Sequence, residues 1–237
     1  MDKRARVMID SLLKHEGGWS GDKSDLGNAG GLDTYRGITR KNYPNWSGWP
    51  IVDANKPLRW NQVIRDSKLE DLVREFYYKN YYLKNKVDRI NNPLVAYHLL
   101  DHCVNAGARN GIKILQRSIN AVLNMNISVD GVIGPQTVGL ANHEKAQEIG
   151  LRMDAERKAY YQRIVSARPA NSKYLKGWTN RVTTATRQFR NYTDGSIVTS
   201  VILGKNTNPL REIVNGTILG GLSNIFESFF GGLIKKK

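Results

Sequence analysis

The sequence has little cysteine and no grouping of metal ligands. Cys103 is the single cysteine, so an intrachain disulfide cannot form. It lies in the apolar, helix-like stretch YHLLDHCVNAG, which favours a buried, inert thiol over a reactive one. The four histidines, at positions 15, 98, 102 and 143, do not cluster with it as zinc ligands do. We therefore expect no metal site and no cofactor.

An apolar run of the length that a signal peptide needs is also lacking at the N-terminus. The opening MDKRARVMIDSLLKHEGG is charged, and its spacing predicts a helix from the first turns onward. We therefore expect the chain to be made in a cytoplasm without an export signal of its own.

Acidic residues are scarce relative to basic ones. The sequence has 36 Lys and Arg against 21 Asp and Glu, a formal net charge of +15. Such a charge suits an anionic polymer: nucleic acid, an anionic membrane surface or an acidic bacterial envelope. The basic residues are dispersed and form no nucleic-acid-binding motif, so we expect no specific nucleic-acid partner. A generally basic, soluble surface is the alternative interpretation.

What the sequence does contain is helical periodicity. Over residues 4–16, Ile9, Leu12, Leu13 and Glu16 recur with helical spacing, and Gly17-Gly18 is expected to stop the helix. Residues 20–62 are rich in Gly, Asn, Asp, Pro and Trp, which predicts irregular structure with a short hairpin around Thr34 to Thr39. Further helices are predicted from a capping box at Ser67 toward Leu83, from Pro93 to Ala106, across 112–122, from Pro135, over 144–167 and from Tyr174.

Glu16 is the residue on which a chemical hypothesis rests. It shares a face with apolar residues, and a carboxyl group removed from water keeps its proton more readily, as an acid for glycosidic-bond cleavage must. That chemistry also needs a second carboxylate or a positioned water, and the loop offers Asp22, Asp25 and Asp33. Trp19 and Tyr35 are candidates to stack on sugar faces. A helix-terminal Glu followed by a flexible loop is the alternative.

The segment HEGGWSGDKSDLGNAGGLDTYRGIT resembles the N-terminal motif of the glycoside hydrolase family 108 lysozymes. In that family a Glu-Gly-Gly segment leads to Gly-Gly-x-Thr-x-x-Gly-Ile-Thr. Three further resemblances follow in the family's order: FYYKNYYL, then LLDHCVNAGARNGIKILQRSIN with VDGVIGPQTVGLAN, and YLKGWTNRV. Together they cover about residues 5 to 190. The family's proline-containing Asp-Pro-x-Asp-Pro-Gly-Gly run is here SGDKSDLGNAGGLDT, without prolines.

The resemblance implies a mainly α, lysozyme-like fold with a small irregular or β loop region. It also implies an N-acetylmuramidase that cuts the β-1,4 bond between N-acetylmuramic acid and N-acetylglucosamine. Glu16 is then the catalytic acid. Phage lysozymes of the T-even type place an Asp nine positions after this Glu and a Thr beyond it. This pattern makes Asp25 the candidate to hold the attacking water, with Asp22 as its rival, and Thr34 a third catalytic candidate.

Other residues are candidates for the sugar-binding cleft or for structure. Asn105 is expected to bond an acetamido group, or else to cap its helix. Gln116 is a substrate-binding candidate that also suits a structural role, and Trp178 is expected in the core. The stretch DGVIGPQT resembles a wall-binding motif, although it is also ordinary turn chemistry. We expect the peptidoglycan-binding-like segment, about 112–190, to complete a single 1–190 domain.

Residues 191–237 are expected to form a linker and an amphipathic C-terminal appendage. Over 218–234 the apolar residues share one helical face, but polar residues interrupt them too often for a membrane span. The segment 213–237, which ends in three lysines, suits a membrane surface or a groove of a phage tail or baseplate protein. Packing on the chain's own domain is the alternative.

Three function classes follow. The first is a peptidoglycan-cleaving muramidase, acting in the periplasm or cell wall as a phage endolysin or carried in the virion. The second is a non-catalytic wall-binding or structural virion protein with a lysozyme fold. The third, a nucleic-acid-binding protein, has only the charge in its favour.

Overall fold

The computed structural model describes residues 1–22 and 32–192, which are mainly helical. Eight α-helices occur in these ranges: α1 (Lys3–Leu13), α2 (Trp49–Ala54), α3 (Ser67–Tyr77), α4 (Pro93–Ala106), α5 (Ala108–Leu123), α6 (Pro135–Ala141), α7 (Ala146–Ala167) and α8 (Ser172–Phe189). A π-helical turn, Tyr78–Leu83, extends α3, and 3-10 turns occupy Val87–Arg89 and Pro169–Asn171. The mainly α prediction is confirmed. Of the helices described, none has the length and apolarity to cross a membrane.

A three-stranded antiparallel sheet interrupts the helices near the start of the chain. Its strands are β1 (Trp19–Ser20), β2 (Thr34–Tyr35) and β3 (Ile38–Thr39), in that order. The two-residue turn Arg36-Gly37 joins β2 to β3, with φ values of 50° and 78°. Positive φ at both central residues is the geometry that two-residue hairpins prefer. The predicted hairpin is therefore confirmed.

Helix α1 begins where expected and ends earlier than expected. The Asp2 side chain caps it by accepting a hydrogen bond from the Ala5 amide at 2.8 Å. The helix ends at Leu13, so the prediction that it reaches Glu16 is wrong. The amides of His15 and Glu16 instead donate to carbonyls three residues back, those of Leu12 and Leu13. Such tightening is common in the last turn of a helix.

The N-cap of helix α3 lies one residue before the predicted cap. Asp66, not Ser67, accepts a hydrogen bond from the Leu69 amide at 2.8 Å. The carboxylate is the better cap for the helix N-terminus because it also opposes the helix dipole. The predicted extent toward Leu83 is confirmed, since the π-helical turn ends there.

The chain divides into two compact units. The described part of the first comprises residues 1–22, 32–88 and 100–112, and that of the second comprises 89–99 and 113–192. In the first, α1 packs on α3, and its buried residues include Met8, Leu12 and Val73. In the second, α7 packs on α8, where Trp178 is 1% exposed and stacks on Tyr161 at 5.2 Å between ring centroids. Trp178 is thus a core residue, as expected.

Candidate active site

Glu16 lies in a buried position just past the end of α1. Its exposed fraction is 6%, so the expected removal from water is confirmed. The backbone that follows Glu16 is fixed by hydrogen bonds to residues 61 and 62. The Gly18 amide donates to Asn61 Oδ1 at 2.8 Å. Trp19 N–H donates to the Gln62 carbonyl at 2.9 Å, and Asn61 N–H returns a bond to the Trp19 carbonyl at 2.8 Å. Glu16 therefore sits between a helix end and a fixed strand.

Arg36, in the hairpin turn, reaches the backbone around Glu16. Its Nη1 donates to the carbonyl oxygens of Leu13 and Glu16, each at 3.3 Å. Its Nη2 lies 3.4 Å from both carboxylate oxygens of Glu70 on α3. One guanidinium thus connects the end of α1, the hairpin and α3.

A second charged group holds the end of the loop that precedes the hairpin. Asp33 accepts hydrogen bonds from Arg40 Nε and from Trp19 Nε1, the latter at 2.9 Å, and Lys56 Nζ lies 2.8 Å from its Oδ2. Arg40 and Lys56 also bond Asp53. We call Asp33, Arg40, Asp53 and Lys56 the Asp33 cluster.

The Asp33 cluster keeps its central carboxylate ionised. Burial alone would raise the pKa of Asp33, but the hydrogen bonds from Arg40, Lys56 and Trp19 outweigh it and lower the pKa to about 2. A carboxylate in this state is a poor proton donor. Its contacts suit it to fixing the indole of Trp19 and the start of β2.

The candidates on β2 are buried. Thr34 is 1% exposed, and Tyr35 has no exposed surface. The Tyr35 hydroxyl accepts a hydrogen bond from the Ile64 amide at 3.1 Å, and its ring stacks on Trp46. Trp19, which pairs with Tyr35 across β1 and β2, keeps part of its surface accessible.

Of the two other loop carboxylates predicted from the sequence, the structure describes only one. Asp22 is exposed, and its amide lies 3.5 Å from Ser20 Oγ. Asp25 lies outside the described residues. The choice between them as second catalytic residue stays a prediction.

Comparison with known proteins finds family matches for two segments of the chain. Residues 9–107 match the family described as Glycosyl hydrolase 108. Residues 110–183 match the one described as Predicted Peptidoglycan domain. Residues 9–107 thus form a glycosyl hydrolase 108 segment, which confirms the resemblance drawn from the motifs. Together the two matches support a glycoside hydrolase directed at peptidoglycan.

A solved structure supports the fold. The structure titled "Structure of Brucella abortus SagA" aligns with a TM-score of 0.54 at 22% sequence identity, covering 80% of this chain and 97% of that one. At this identity the similarity shows the fold alone. No curated protein matches the chain.

Two predicted binding residues lie away from the loop region in sequence. Asn105, in the second half of α4, has no exposed surface. Gln116, in the second unit, donates through Nε2 to Asp130 Oδ1 at 2.8 Å and accepts from the Gly131 amide at 2.9 Å. The Gln116 amide therefore holds the turn of the DGVIGPQT stretch. Sugar contacts by either residue stay predictions.

The basic residues of this site were not identified from the sequence. Arg36, Arg40 and Lys56 were not singled out, although they connect the segment around Glu16 and the carboxylate of Asp33 to the rest of the first unit. One signal was present for the first of them. An Arg stands in the two-residue turn before Gly37, where Asn or Gly is the usual choice.

Proposed function

We propose that the chain is an N-acetylmuramidase that hydrolyses the β-1,4 bond between N-acetylmuramic acid and N-acetylglucosamine. The observation that carries this proposal is the buried carboxyl group of Glu16, 6% exposed, within the segment that matches the hydrolase family. An acid shielded from water and fixed by its backbone is what proton donation to a glycosidic oxygen requires.

In the proposed mechanism, Glu16 gives its proton to the leaving oxygen of the scissile bond. Asp25 holds the water that attacks the sugar from the other face, and Asp22 is the alternative. Thr34, buried on β2, is the third catalytic residue in this proposal. Asp33 does not serve as the acid because its three donors keep it ionised.

The proposed sugar contacts differ in strength of support. Trp19 is the best supported, since its indole N–H is fixed by Asp33 while part of the ring stays accessible. We assign Tyr35, which is fully buried, to the wall beneath it. An acetamido contact by Asn105, also fully buried, would require that the groups covering it move aside when the sugar binds. Gln116 acts indirectly, by shaping the 130–132 turn of the peptidoglycan-binding segment.

The biological setting we propose is phage lysis or entry, with the enzyme acting as an endolysin or as a virion component at the cell wall. The C-terminal segment 213–237 would then contact a membrane surface or a tail or baseplate protein. It lies outside the described residues.

The test compares wild type with Glu16→Gln on purified Gram-negative peptidoglycan, with mass spectrometry of the released fragments. Glu75→Gln is the matched control because Glu75 is an exposed residue of α3 paired with Lys79. We expect reducing N-acetylmuramic acid ends from wild type and the control, and none from Glu16→Gln. If wild type binds the wall but releases no fragments, the chain is a non-catalytic wall-binding protein and the proposal is wrong.

A further inference from the structure

Arg36 occupies a backbone conformation that its side chain does not favour. Its φ is +50°, in the left-handed region where residues other than Gly, Asn and Asp are rare. A two-residue turn of this kind is most stable as Asn-Gly. The hairpin alone therefore gives no reason for an arginine here, and the reason must be sought in its contacts.

Those contacts converge on the segment that carries Glu16. The guanidinium donates to the Leu13 and Glu16 carbonyls, and the Arg36 amide donates to the Gly18 carbonyl at 3.2 Å. On the opposite side, Glu70 faces the guanidinium and the Tyr77 hydroxyl donates to the Arg36 carbonyl at 2.7 Å. Both anchors lie on α3, whose inner face is buried.

We propose that Arg36 is a positioning residue for Glu16. It fixes the backbone on both sides of the acid relative to β2 and α3, and a shift of about 1 Å in a catalytic group is enough to cost ~100-fold in rate. This inference rests on the proposed function. It assigns Arg36 no contact with substrate.

The substitution Arg36→Asn separates positioning from folding. Asn is well suited to the left-handed conformation, so the Asn-Gly turn relieves backbone strain while all guanidinium contacts are lost. Because Glu70 then lacks this partner, kcat is compared at a temperature well below the Tm of both proteins. We expect kcat for release of reducing ends from soluble peptidoglycan fragments to fall about 10- to 100-fold, with KM within about twofold of wild type.

The matched control is Arg152→Gln on α7, in the second unit. Arg152 bonds Glu156 through Nε at 3.1 Å and through Nη2 at 2.7 Å. We expect this variant, which also loses a guanidinium–carboxylate pair, to lower the Tm slightly and leave kcat unchanged.

Two results would overturn the role of Arg36: a wild-type kcat in Arg36→Asn, or a fall in kcat that merely parallels a fall in Tm. If wild type itself releases no reducing ends, the proposed function falls first, and the Glu16→Gln comparison identifies that case.

A separate observation concerns the charge of the α7–α8 helical hairpin. Between residues 157 and 193 the sequence holds nine Lys and Arg and no Asp or Glu, so the basic residues are less dispersed than expected. Four of them are exposed around the connection between the helices, and we call these four the hairpin tip: Arg163, Arg168, Lys173 and Lys176.

Helix stability accounts for only part of the hairpin tip. Arg168 follows the C-terminus of α7, where the helix dipole favours a cation. Lys173 and Lys176 lie in the first turns of α8, where the dipole favours carboxylates, and the first turn of α8 has no acidic residue. Two lysines at an unfavourable helix N-terminus, within a stretch of sequence without Asp or Glu, indicate an anionic partner.

We infer that the hairpin tip binds the carboxylates of peptidoglycan stem peptides. The tip lies within residues 110–183, the part of the chain that matches the peptidoglycan domain. Stem peptides repeat along a glycan strand and carry free carboxylates, so several cations can be engaged together. The inference rests on the proposed substrate but not on catalysis.

Sedimentation with purified sacculi tests it in a Glu16→Gln background, where no hydrolysis occurs. Reversing the charge of the hairpin tip (Arg163→Glu, Arg168→Glu, Lys173→Glu, Lys176→Glu) should weaken binding to sacculi about tenfold at low ionic strength. Amidation of the sacculus carboxylates should weaken binding of the unreversed protein similarly. The control reverses four exposed cations of the first unit, with the same change in charge: Lys3→Glu, Arg65→Glu, Lys84→Glu and Arg109→Glu.

Equal weakening by both reversals would overturn the inference in favour of net charge alone. Unchanged binding of the tip variant to sacculi would overturn the inference as well. If that variant instead lost binding to anionic vesicles or to duplex DNA, the hairpin tip would have a different partner.

Discussion

At the scale of single residues, the position of Glu16 depends on a close approach of two backbone segments. A Cβ at Gly18 would lie 2.3 Å from the Gln62 carbonyl oxygen and 2.5 Å from that of Asn61. These atoms belong to the backbone that pairs with β1, so they cannot rotate away as a flexible side chain would. Glycine at this position is a requirement of packing.

We expect Gly18→Ala to destabilise the protein by about 1–3 kcal/mol, as overpacking of a tight site does. Activity should fall as well, because Glu16 is two residues away. Thermal unfolding and release of reducing ends measure the two effects. Gly139→Ala is the control: a Cβ there meets nothing within 4 Å, and Ala in a helix interior is favoured by roughly 0.5–1 kcal/mol. A Gly18→Ala variant with the stability of wild type would contradict the packing argument.

At the scale of elements, the Asp33 cluster attaches the start of β2 to α2. The Asp33 side chain is 6% exposed, whereas that of Asp53 is 47% exposed. The bonds to Asp33 should therefore contribute most of the stability of the cluster, since exposed ion pairs are screened by water.

The pKa of Asp33 predicts acid sensitivity. Because folding lowers this pKa from 3.8 to about 2, its contribution to stability is complete above pH ~4 and is lost as the pH falls through about 2. The loss amounts to roughly 2 kcal/mol. In Asp33→Asn the free energy of unfolding should be lower at neutral pH and should vary less than that of wild type between pH ~4 and ~2. Asp71→Asn, which removes an ion pair at a side chain that is 69% exposed, is the control. Parallel pH profiles for wild type and Asp33→Asn would contradict the prediction.

The elements that could be predicted from the sequence are those with local signals. The apolar spacing of α1 and the turn residues around Thr34 to Thr39 are both local. Strand β1 was missed because it pairs with residues about fifteen positions further on and has no alternating pattern of its own. Helix α2 was missed because it has six residues and contains Pro50.

The same distinction applies to the candidate site. Glu16 could be singled out because its spacing placed it with apolar residues, and it is buried as expected. The contacts that hold the backbone around it could not be predicted, since the helix ends at Leu13 and the following residues are bound by Arg36 and Asn61. These bonds join residues 20 and 43 positions apart, which a local pattern does not reveal.

At the scale of the whole molecule, the family boundary and the structural units differ. The hydrolase match ends at residue 107, whereas residues 89–99 belong to the second unit. There Tyr97 stacks on Phe189 at 4.0 Å, and His98 bonds Arg157 and Thr186. The first half of α4 is therefore part of the core of the peptidoglycan-binding half.

A fragment of residues 1–107 should consequently fail to fold as a soluble monomer. It would keep residues 89–99 without their partners and expose side chains that are fully buried, among them Ile90, Leu94, Val95 and Leu99. Size-exclusion chromatography and thermal unfolding are the measurements, with residues 1–192 as the control. A monomeric 1–107 fragment that unfolds cooperatively would show that the two units separate at the family boundary.

The stacking of Arg40 on a tryptophan has an optical consequence. Its guanidinium lies 4.1 Å from the ring centroid of Trp49, which is buried and meets Trp46 edge-on at 5.0 Å. Indole emission shifts with nearby charge, so protonation of Asp33, which pairs with Arg40, should change the emission of Trp49. Because the chain holds five tryptophans, the difference between wild type and Trp49→Phe would isolate this signal and follow the state of the Asp33 cluster without a label.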